Sequence, residues 1–178
     1  RVPNVNQCKE CHAAEDKITP IGPKARNLNK KFVFNEGEFN QLTYWMNRQI
    51  IDDYPMELVS PVDWTDDSQN INDRVRSYLD VNCGHCHSPT GNANSTGLYL
   101  HLDETRDIHL GLYKKPVATG RGSGGLKYSI VPGKPDESIL LHRMISLDPG
   151  VMMPESGRAL SHTEAVEMVR EWILVMED

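Results

Sequence analysis

Every cysteine of this sequence belongs to one of two copies of the pattern Cys-x-x-Cys-His, at residues 8–12 and 83–87. Two thiols one helical turn apart can add to the two vinyl groups of one porphyrin, and the adjacent imidazole then lies beneath the iron as its proximal ligand. Each copy therefore predicts one covalently attached c-type haem. The predicted attachment residues are Cys8, Cys11, His12, Cys83, Cys86 and His87, with His12 and His87 as iron ligands.

A Cys₄ zinc site, disulfides and unmodified core thiols are the alternatives for these cysteines. Zinc ribbons place their two Cys-x-x-Cys pairs roughly 15 to 20 residues apart. Here one pair ends at Cys11 and the next begins at Cys83. Neither zinc nor disulfide chemistry requires a histidine after each pair, so the two motifs favour haem.

A loop methionine is the predicted sixth ligand of the second haem. Met152 and Met153 are neighbours in the proline-bounded segment 149–154, between the last two predicted helices. Neighbouring methionines in such a loop are unusual as core packing, and a thioether ligand raises the haem potential relative to bis-imidazole ligation. We prefer Met153 over Met152 because it directly precedes Pro154.

The sixth ligand of the first haem has several candidates. No histidine lies between His12 and His85, so the ligand is Met56, Met46, an imidazole from the second half of the chain, or nothing. We prefer Met56, which follows a predicted helix and a proline, whereas Met46 lies in an apolar stripe. The imidazoles that would give a bis-histidine haem of lower potential are His101, His109 and His142.

Two domains are predicted to position these residues, 1–66 and 67–178. The segment 60–68 is rich in prolines and acids and marks the boundary between them. The first domain is short at its N-terminus, and an apolar stripe predicts a helix over residues 39–51. Domains this small are marginal on side-chain burial alone, so we expect the protein without haem to be disordered.

Helices are predicted on both sides of the second motif. One begins at a cap formed by Ser68 or Asn70 and runs into Cys83, because apolar residues recur at helical spacing. These residues are Ile71, Val75, Tyr78 and Leu79. A short helix is predicted over residues 135–144 and a weak strand over residues 98–102.

The final predicted helix begins at a capping box, residues 161–164, and carries an apolar face. This face consists of Ala165, Met168, Val169, Trp172, Ile173 and Met176. The earlier segment 120–125 formally matches the dinucleotide pattern Gly-x-Gly-x-x-Gly, but extended chain follows it where a helix is needed. We interpret it as a loop folding over the haem, with Arg121 and Lys127 available to the propionates.

Composition narrows the classes of partner. The formal net charge is -6, before two propionates per haem, which excludes a nucleic-acid partner and suits a basic protein partner. The sequence lacks an apolar run of membrane-spanning length and a signal peptide. Since this kind of haem attachment takes place outside the bacterial cytoplasm, we expect a periplasmic or extracellular protein whose presequence was removed.

The order of these features resembles class I cytochrome c domains, in which a Gly-Pro follows the haem motif and a loop methionine precedes the closing helix. By that resemblance, the carbonyl of Pro23 accepts a hydrogen bond from Nδ1 of His12. More closely, several segments together resemble an uncharacterised family of bacterial diheme c-type cytochromes, over nearly the whole chain. These segments are residues 21–29, 78–87, 120–125, 131–133 and 153–154.

The resemblance implies a fold class, a ligand and a role. The fold would be mainly α, with two cytochrome c-like helical haem domains, long irregular loops and at most a short β-hairpin. Met153 would occupy the ligand position of the family's methionine-proline loop, and we assign Arg26, in the first matching segment, to haem binding. Family members are longer at the N-terminus, and their redox partners are not established.

Electron transfer between a redox donor and an acceptor is the predicted function, without enzymatic activity. A diheme peroxidase-like enzyme is the alternative, because the first haem lacks an obvious sixth ligand. Its acid-base group would be Glu36 or His109. A haem-bearing subunit of a larger complex or a self-assembling filament is the third possibility.

Overall fold

Short helices separated by long irregular segments make up most of the chain. The computed structural model describes residues 2–14, 17–18, 20–21, 24–117 and 119–177. Its helices are α1 (Val5–His12), α2 (Ala25–Leu28), α3 (Gln41–Asn47), α4 (Ile71–Asn82), α5 (Asp107–Leu110), α6 (Ile139–Ile145) and α7 (Thr163–Leu174). Short 3₁₀ helices cover Asn94–Thr96, Gly120–Ser123 and Pro135–Glu137.

Two small antiparallel hairpins lie in the first third of the chain. Strands β1 (Ala13–Ala14) and β2 (Lys17–Ile18) form the first, and β3 (Lys31–Phe34) and β4 (Gly37–Asn40) form the second. In the second hairpin Lys31 pairs with Asn40 and Phe34 with Gly37. Gly37 has φ of +129°, a conformation that favours glycine after the turn.

The hydrophobic core is built mainly by α4, α6 and α7. Val75 and Leu79 of α4 are one turn apart and are 0% and 1% exposed. They pack in one cluster with the inner face of α7, as apolar residues at helical spacing do. Each such fully buried side chain contributes about 1.5–3 kcal/mol to folding. The second motif directly follows α4, so its position is set by this core.

The predicted fold class, mainly α with two cytochrome c-like haem domains, is wrong. The described residues are 38% helical and 9% strand, close to the average of globular proteins. At 178 residues the chain is too small for two cytochrome domains. The physical reason is that, among the described residues, Leu42 is the one buried apolar side chain before Val75. The predicted boundary after residue 66 falls between α3 and α4 and stays a prediction.

Where apolar periodicity was strong, the predicted helices are confirmed. Asn70 is the N-cap of α4, and its side chain accepts a hydrogen bond from the amide of Asn72 at 2.8 Å. In α7 the predicted inner face is buried from Ala165 to Ile173. The predicted capping box is wrong, because the N-cap is His162 without a side-chain hydrogen bond. Ser161 instead donates to the carbonyl of Met144.

Other predicted elements differ in extent or kind. The helix predicted over residues 39–51 is shortened to α3, because the side chain of Asn40 accepts from the amides of Leu42 and Thr43 and starts the helix there. Phe39 consequently belongs to β4. Residues 98–102 form no named strand, because the chain bends and turns from His101 onward, although Leu100 is buried. The helix predicted over 135–144 is split into a 3₁₀ turn and α6.

Helix length bears on the predicted absence of a membrane span. The longest helices of the described residues, α4 and α7, have 12 residues each. In the part of the chain that the structure describes, no helix is long and apolar enough to cross a bilayer.

Candidate functional site

The second motif forms a tight turn at the end of α4. Cys83 caps the helix through its amide, which donates to the carbonyl of Leu79 at 2.8 Å. The amides of Cys86 and His87 then both donate to the carbonyl of Cys83, at 3.1 and 2.9 Å. Gly84 permits this turn, because a Cβ there would lie 2.8 Å from the carbonyl oxygen of Asp80. The motif is therefore fixed by the backbone of α4.

Burial keeps the reactive groups of the second motif uncharged. Burial, with a smaller effect of Cys86, raises the pKa of the Cys83 thiol to about 12. Burial, with a smaller effect of Cys11, raises the pKa of Cys86 to about 11. Burial also lowers the pKa of His87 to about 4, against the opposing effect of the Leu98 carbonyl. Neutral thiols and a neutral imidazole are thus present at neutral pH.

The first motif lies on α1, which is more exposed to solvent than the turn of the second motif. Asn4 and Gln7 form a reciprocal capping box, with each side chain accepting from the other residue's amide at 3.0 Å. All eight residues of α1 are described, and none of them is buried. Cys8 is exposed and Cys11 is half-buried. The helix therefore depends on its cap and on contacts with the rest of the chain.

The fold brings the two motifs into contact. The side-chain amide of Asn92 donates to the carbonyls of Lys9 and Glu10 in α1, at 2.9 and 2.7 Å. The thiol of Cys86 lies 3.6 Å from the same Glu10 carbonyl. The sulfur atoms of Cys11 and Cys86 and a ring nitrogen of His85 all lie within 4.8 Å of one another. No signal in the sequence predicted this meeting, since it depends on long-range packing.

A glycine-containing loop closes over the second motif on the side of α1. The amide of Ala93 donates to the carbonyl of Cys86 at 3.0 Å. A Cβ on Gly91 would lie 2.2 Å from that carbonyl oxygen and 2.6 Å from that of His85. Only glycine fits such a close approach of two backbones. The sequence analysis did not single out Gly91 or Asn92, which join the loop to both motifs.

An ion pair attaches the segment after the first motif to α4. Arg26 bonds both carboxylate oxygens of the fully buried Asp80 and lies 3.4 Å from Asp103. Lys24 lies 3.7 Å from Asp80. Burial alone would raise the pKa of Asp80. Arg26, Lys24 and the amide of Leu102 outweigh burial, so the pKa of Asp80 lies below its usual value. The haem-binding role predicted for Arg26 stays a prediction, because this guanidinium is engaged by carboxylates.

The methionine loop is held by Arg143, and Arg158 binds the end of α6. The guanidinium of Arg143 donates to the carbonyl of Val151 at 2.8 Å, and the amide of Met153 donates back to the carbonyl of Arg143 at 3.0 Å. Arg158 donates to the carbonyl of Met144 at 2.9 Å. Met152 is buried and Met153 is half-buried. Either side chain keeps its predicted role as a candidate ligand.

Other predicted site residues lie elsewhere. Met56 is 80% exposed, so packing does not fix its thioether, and its role as a ligand stays a prediction. Arg121 pairs with Asp148 at 2.8 Å on the surface. Pro23 lies outside the described residues. Among the alternative imidazoles, His109 bonds Glu104 at 3.1 Å.

The glycine-rich segment 120–125 packs against α6. A Cβ on Gly122 would lie 3.2 Å from the guanidinium of Arg143, and one on Gly124 would lie 2.5 Å from Nε2 of His142. Residues 120–123 form a 3₁₀ turn, and in the described residues no strand leads directly into it. The dinucleotide pattern therefore reflects close packing rather than a phosphate cradle.

The residues present fit a c-type haem at the second motif. All four cysteines, each of them described, are free of disulfides. Nδ1 of His87 is buried and has no hydrogen-bond partner among the described residues. An uncharged imidazole with an unpaired ring nitrogen beside two free thiols is the donor set that haem attachment uses.

Comparison with known proteins adds no relative. No family model matches this chain, and no match was found among the curated proteins or the solved structures. Inference about function therefore depends on the residues and their geometry.

Proposed function

We propose that this chain is a diheme c-type cytochrome that transfers electrons between redox partners outside the cytoplasm. The two Cys-x-x-Cys-His motifs carry the proposal, and the contact between them supports electron exchange between the two attachment sites. Cys11 and Cys86, one from each motif, have sulfur atoms within 4.8 Å of each other. Because electron tunnelling weakens steeply with distance, two cofactors attached at such neighbouring positions would exchange electrons rapidly.

The chain's own residues would hold and insulate these cofactors. The thiols of Cys8, Cys11, Cys83 and Cys86 would bind the porphyrin edges, and His12 and His87 would ligate the irons. Each iron would take up and release one electron. Cys83, Cys86 and His87 are half-buried, which limits the access of water to the second site. A rigid turn on α4 favours electron transfer, because little rearrangement accompanies a change of iron charge.

The charge of the molecule supports a protein partner. The net charge is -6, so a basic redox protein would be attracted over long distances and released at high ionic strength. This partner, the periplasmic or extracellular location and the absence of enzymatic activity belong to the same proposal.

The peroxidase alternative has less support. Glu36 accepts hydrogen bonds from Tyr44 and Arg48 near the β3–β4 turn. His109 bonds the carboxylate of Glu104. Both groups suggested for acid-base catalysis are thus engaged with neighbouring side chains.

A second candidate is a mononuclear transition-metal centre at Cys11, His85 and Cys86. Two sulfurs and one imidazole nitrogen within 4.8 Å of one another suit zinc or copper(I). The separation of the two cysteine pairs in sequence, which argued against zinc, is removed by the fold. Zinc would need a fourth ligand and thiolate sulfurs, whereas burial raises the pKa of Cys86 to about 11.

Mass and metal analysis together test both candidates. The chain is produced in a bacterial host with the cytochrome maturation machinery, and intact mass, the pyridine haemochrome spectrum and metal content are measured. Two covalent haems per chain support the proposal. A bare-chain mass from the competent host overturns it, and one zinc or copper per chain then supports the second candidate.

A redox titration of the haem-loaded protein separates electron carrier from peroxidase. The electron-transfer proposal expects two one-electron steps, no turnover of hydrogen peroxide and no binding of carbon monoxide to the ferrous irons. Peroxide turnover at one haem would overturn the non-enzymatic role while leaving the cofactor assignment intact.

A further inference from the structure

His85 occupies a position that haem attachment at its own motif does not require. The chemistry of the second motif uses two thiols and the imidazole after them, Cys83, Cys86 and His87. His85 is one of the two intervening residues, which can be of any type. Its imidazole is nevertheless partly buried at the contact with α1.

The ring of His85 lies next to the attachment site of the other haem. One of its nitrogens is within 4.8 Å of the sulfur of Cys11. A porphyrin attached at the first motif would be bonded to Cys11, so His85 would lie close to that porphyrin while belonging to the second motif in sequence.

The imidazole of His85 also has an unmet bonding requirement. Its Nδ1 is buried without a hydrogen-bond partner in the described part of the chain. An unpaired buried polar atom costs about 1–3 kcal/mol. Coordination to a metal would satisfy one ring nitrogen and leave the other to a hydrogen bond.

A cavity lies beside this ring. It has a volume of about 300 Å³ and is lined by His85, Lys24, Asn27, Ile21 and Val81. Oδ1 of Asn27 is a second buried polar atom without a partner among the residues described. The segment between the first motif and α4 thus leaves open space beside the ring of His85.

The competing imidazoles are engaged elsewhere. His109 bonds Glu104 at 3.1 Å, and His162 bonds the hydroxyl of Tyr78 at 3.1 Å. His142 lies under Gly124. Apart from His87, the predicted ligand of the second haem, His101 is the histidine that shares with His85 a buried Nδ1 without a partner in the described chain, which makes it the natural control.

We propose that His85 ligates the iron of the haem attached at Cys8 and Cys11, so that the second motif supplies the sixth ligand of the first haem. This inference rests on the proposed diheme function. It makes the first haem bis-histidine ligated and therefore lower in potential than a haem with a methionine ligand. The two haems would then titrate separately, and one side chain would couple the ligation of one haem to the folding of the other's motif.

The test uses the haem-loaded protein and its variant His85→Ala. We expect both proteins to carry two covalent haems. In the variant, one of the two ferric haems changes from low spin to high spin, its ferrous form binds carbon monoxide, and added imidazole restores the low-spin spectrum. The control His101→Ala should leave both low-spin signals unchanged.

Two further variants are controls. One excludes misfolding as the cause of the spectral change, and the other checks which haem His85 ligates. His85→Met should keep both haems low spin, add a near-infrared thioether-to-iron band and raise the lower potential. In a Cys8→Ser/Cys11→Ser background, which lacks the first haem, His85→Ala should have no spectral effect.

The outcomes separate this inference from the function on which it rests. Two haems with unchanged spectra in His85→Ala, or the spin change in His101→Ala instead, would overturn ligation by His85 and leave the diheme proposal standing. A wild-type protein without covalent haem would overturn the diheme proposal itself.

Discussion

The two Cys-x-x-Cys-His motifs share a pattern but not an environment. The second follows α4, where burial raises the pKa of Cys83 to about 12. The first lies on α1, none of whose eight described residues is buried. The difference teaches that this pattern specifies chemistry without specifying stability. The surroundings decide whether the motif belongs to the core or is attached to it.

The largest expected difference comes from removing each motif's thiols in turn. Cys8→Ser/Cys11→Ser and Cys83→Ser/Cys86→Ser should each lose one of two haems. The second pair should also lower the free energy of unfolding by about 1–3 kcal/mol, because its thiols lie in the half-buried turn at the end of α4. Haem per chain and urea unfolding measure both effects. Equal destabilisation by the two pairs would contradict the contrast between the motifs.

Breaking the ion pair between Arg26 and Asp80, which joins the segment after the first motif to α4, should have the next largest effect on stability. Asp80→Asn leaves Arg26 facing a neutral group at a fully buried site, and such a loss costs about 3–5 kcal/mol. Chemical unfolding measures the cost. The control Asp103→Asn removes a carboxylate that is 70% exposed, and it should cost only a few tenths of a kcal/mol. Similar values for the two variants would refute the structural role of Asp80.

Gly91→Ala should disturb the contact between the two motifs by displacing the backbone of the second motif. The new Cβ would start 2.2 Å from the carbonyl oxygen of Cys86, so the backbone must shift, at about 1–3 kcal/mol. Thermal unfolding of the variant gives the size of this change. Gly122→Ala is the matched control, because its Cβ would meet the movable guanidinium of Arg143 at 3.2 Å.

Asn92→Ala should loosen the first motif alone. It removes the two hydrogen bonds to the carbonyls of Lys9 and Glu10, worth about 1–2 kcal/mol together. Hydrogen exchange of the amides in α1 should accelerate, while exchange in α4 stays the same. The neighbouring exposed Asn94→Ala serves as control. Equal acceleration in both helices would show that the motifs do not unfold separately.

Lowering the pH should have the smallest effect on stability, and it should act on the part of the chain that follows the second motif. The hydrogen bonds from Arg106, followed by that from His109, hold the pKa of Glu104 far below its usual 4.5. The resulting stability is fully present above pH 4.5 and is lost as the pH falls toward the folded-state pKa. Glu104→Gln should therefore unfold with a shallower pH dependence below pH 4.5. If the free energy of unfolding fell equally with pH in the variant and the wild type, Glu104 would not contribute to stability in this way.

Sequence periodicity predicted the elements that the core stabilises. Helices α4 and α7 were found because their apolar residues recur at helical spacing and pack against each other. Helix α1 has no such stripe, since none of its described residues is buried. The β3–β4 hairpin was missed because Phe32 and Val33 are exposed side by side and show no alternation between buried and exposed faces.

The residues of the candidate site could be named from the sequence, but their arrangement could not. The two Cys-x-x-Cys-His motifs were visible as a pattern, whereas the meeting of Cys11 with His85 and Cys86 depends on contacts between distant segments. Asn92 and Gly91 carry no motif, and their importance follows from the backbone atoms they face. The predicted fold class, with two cytochrome c-like domains, was wrong because Leu42 is the one buried apolar side chain among the described residues before α4.

The pairing of Arg26 with Asp80 also sets an order of events during synthesis. The two residues are 54 positions apart, so the segment after the first motif reaches the exit of the ribosome or translocon well before its partner carboxylate. Until the residues after α4 follow, α1 lacks its contacts with Cys86 and Asn92. A maturation enzyme that works on the emerging chain would thus meet the first motif uncovered and the second already folding.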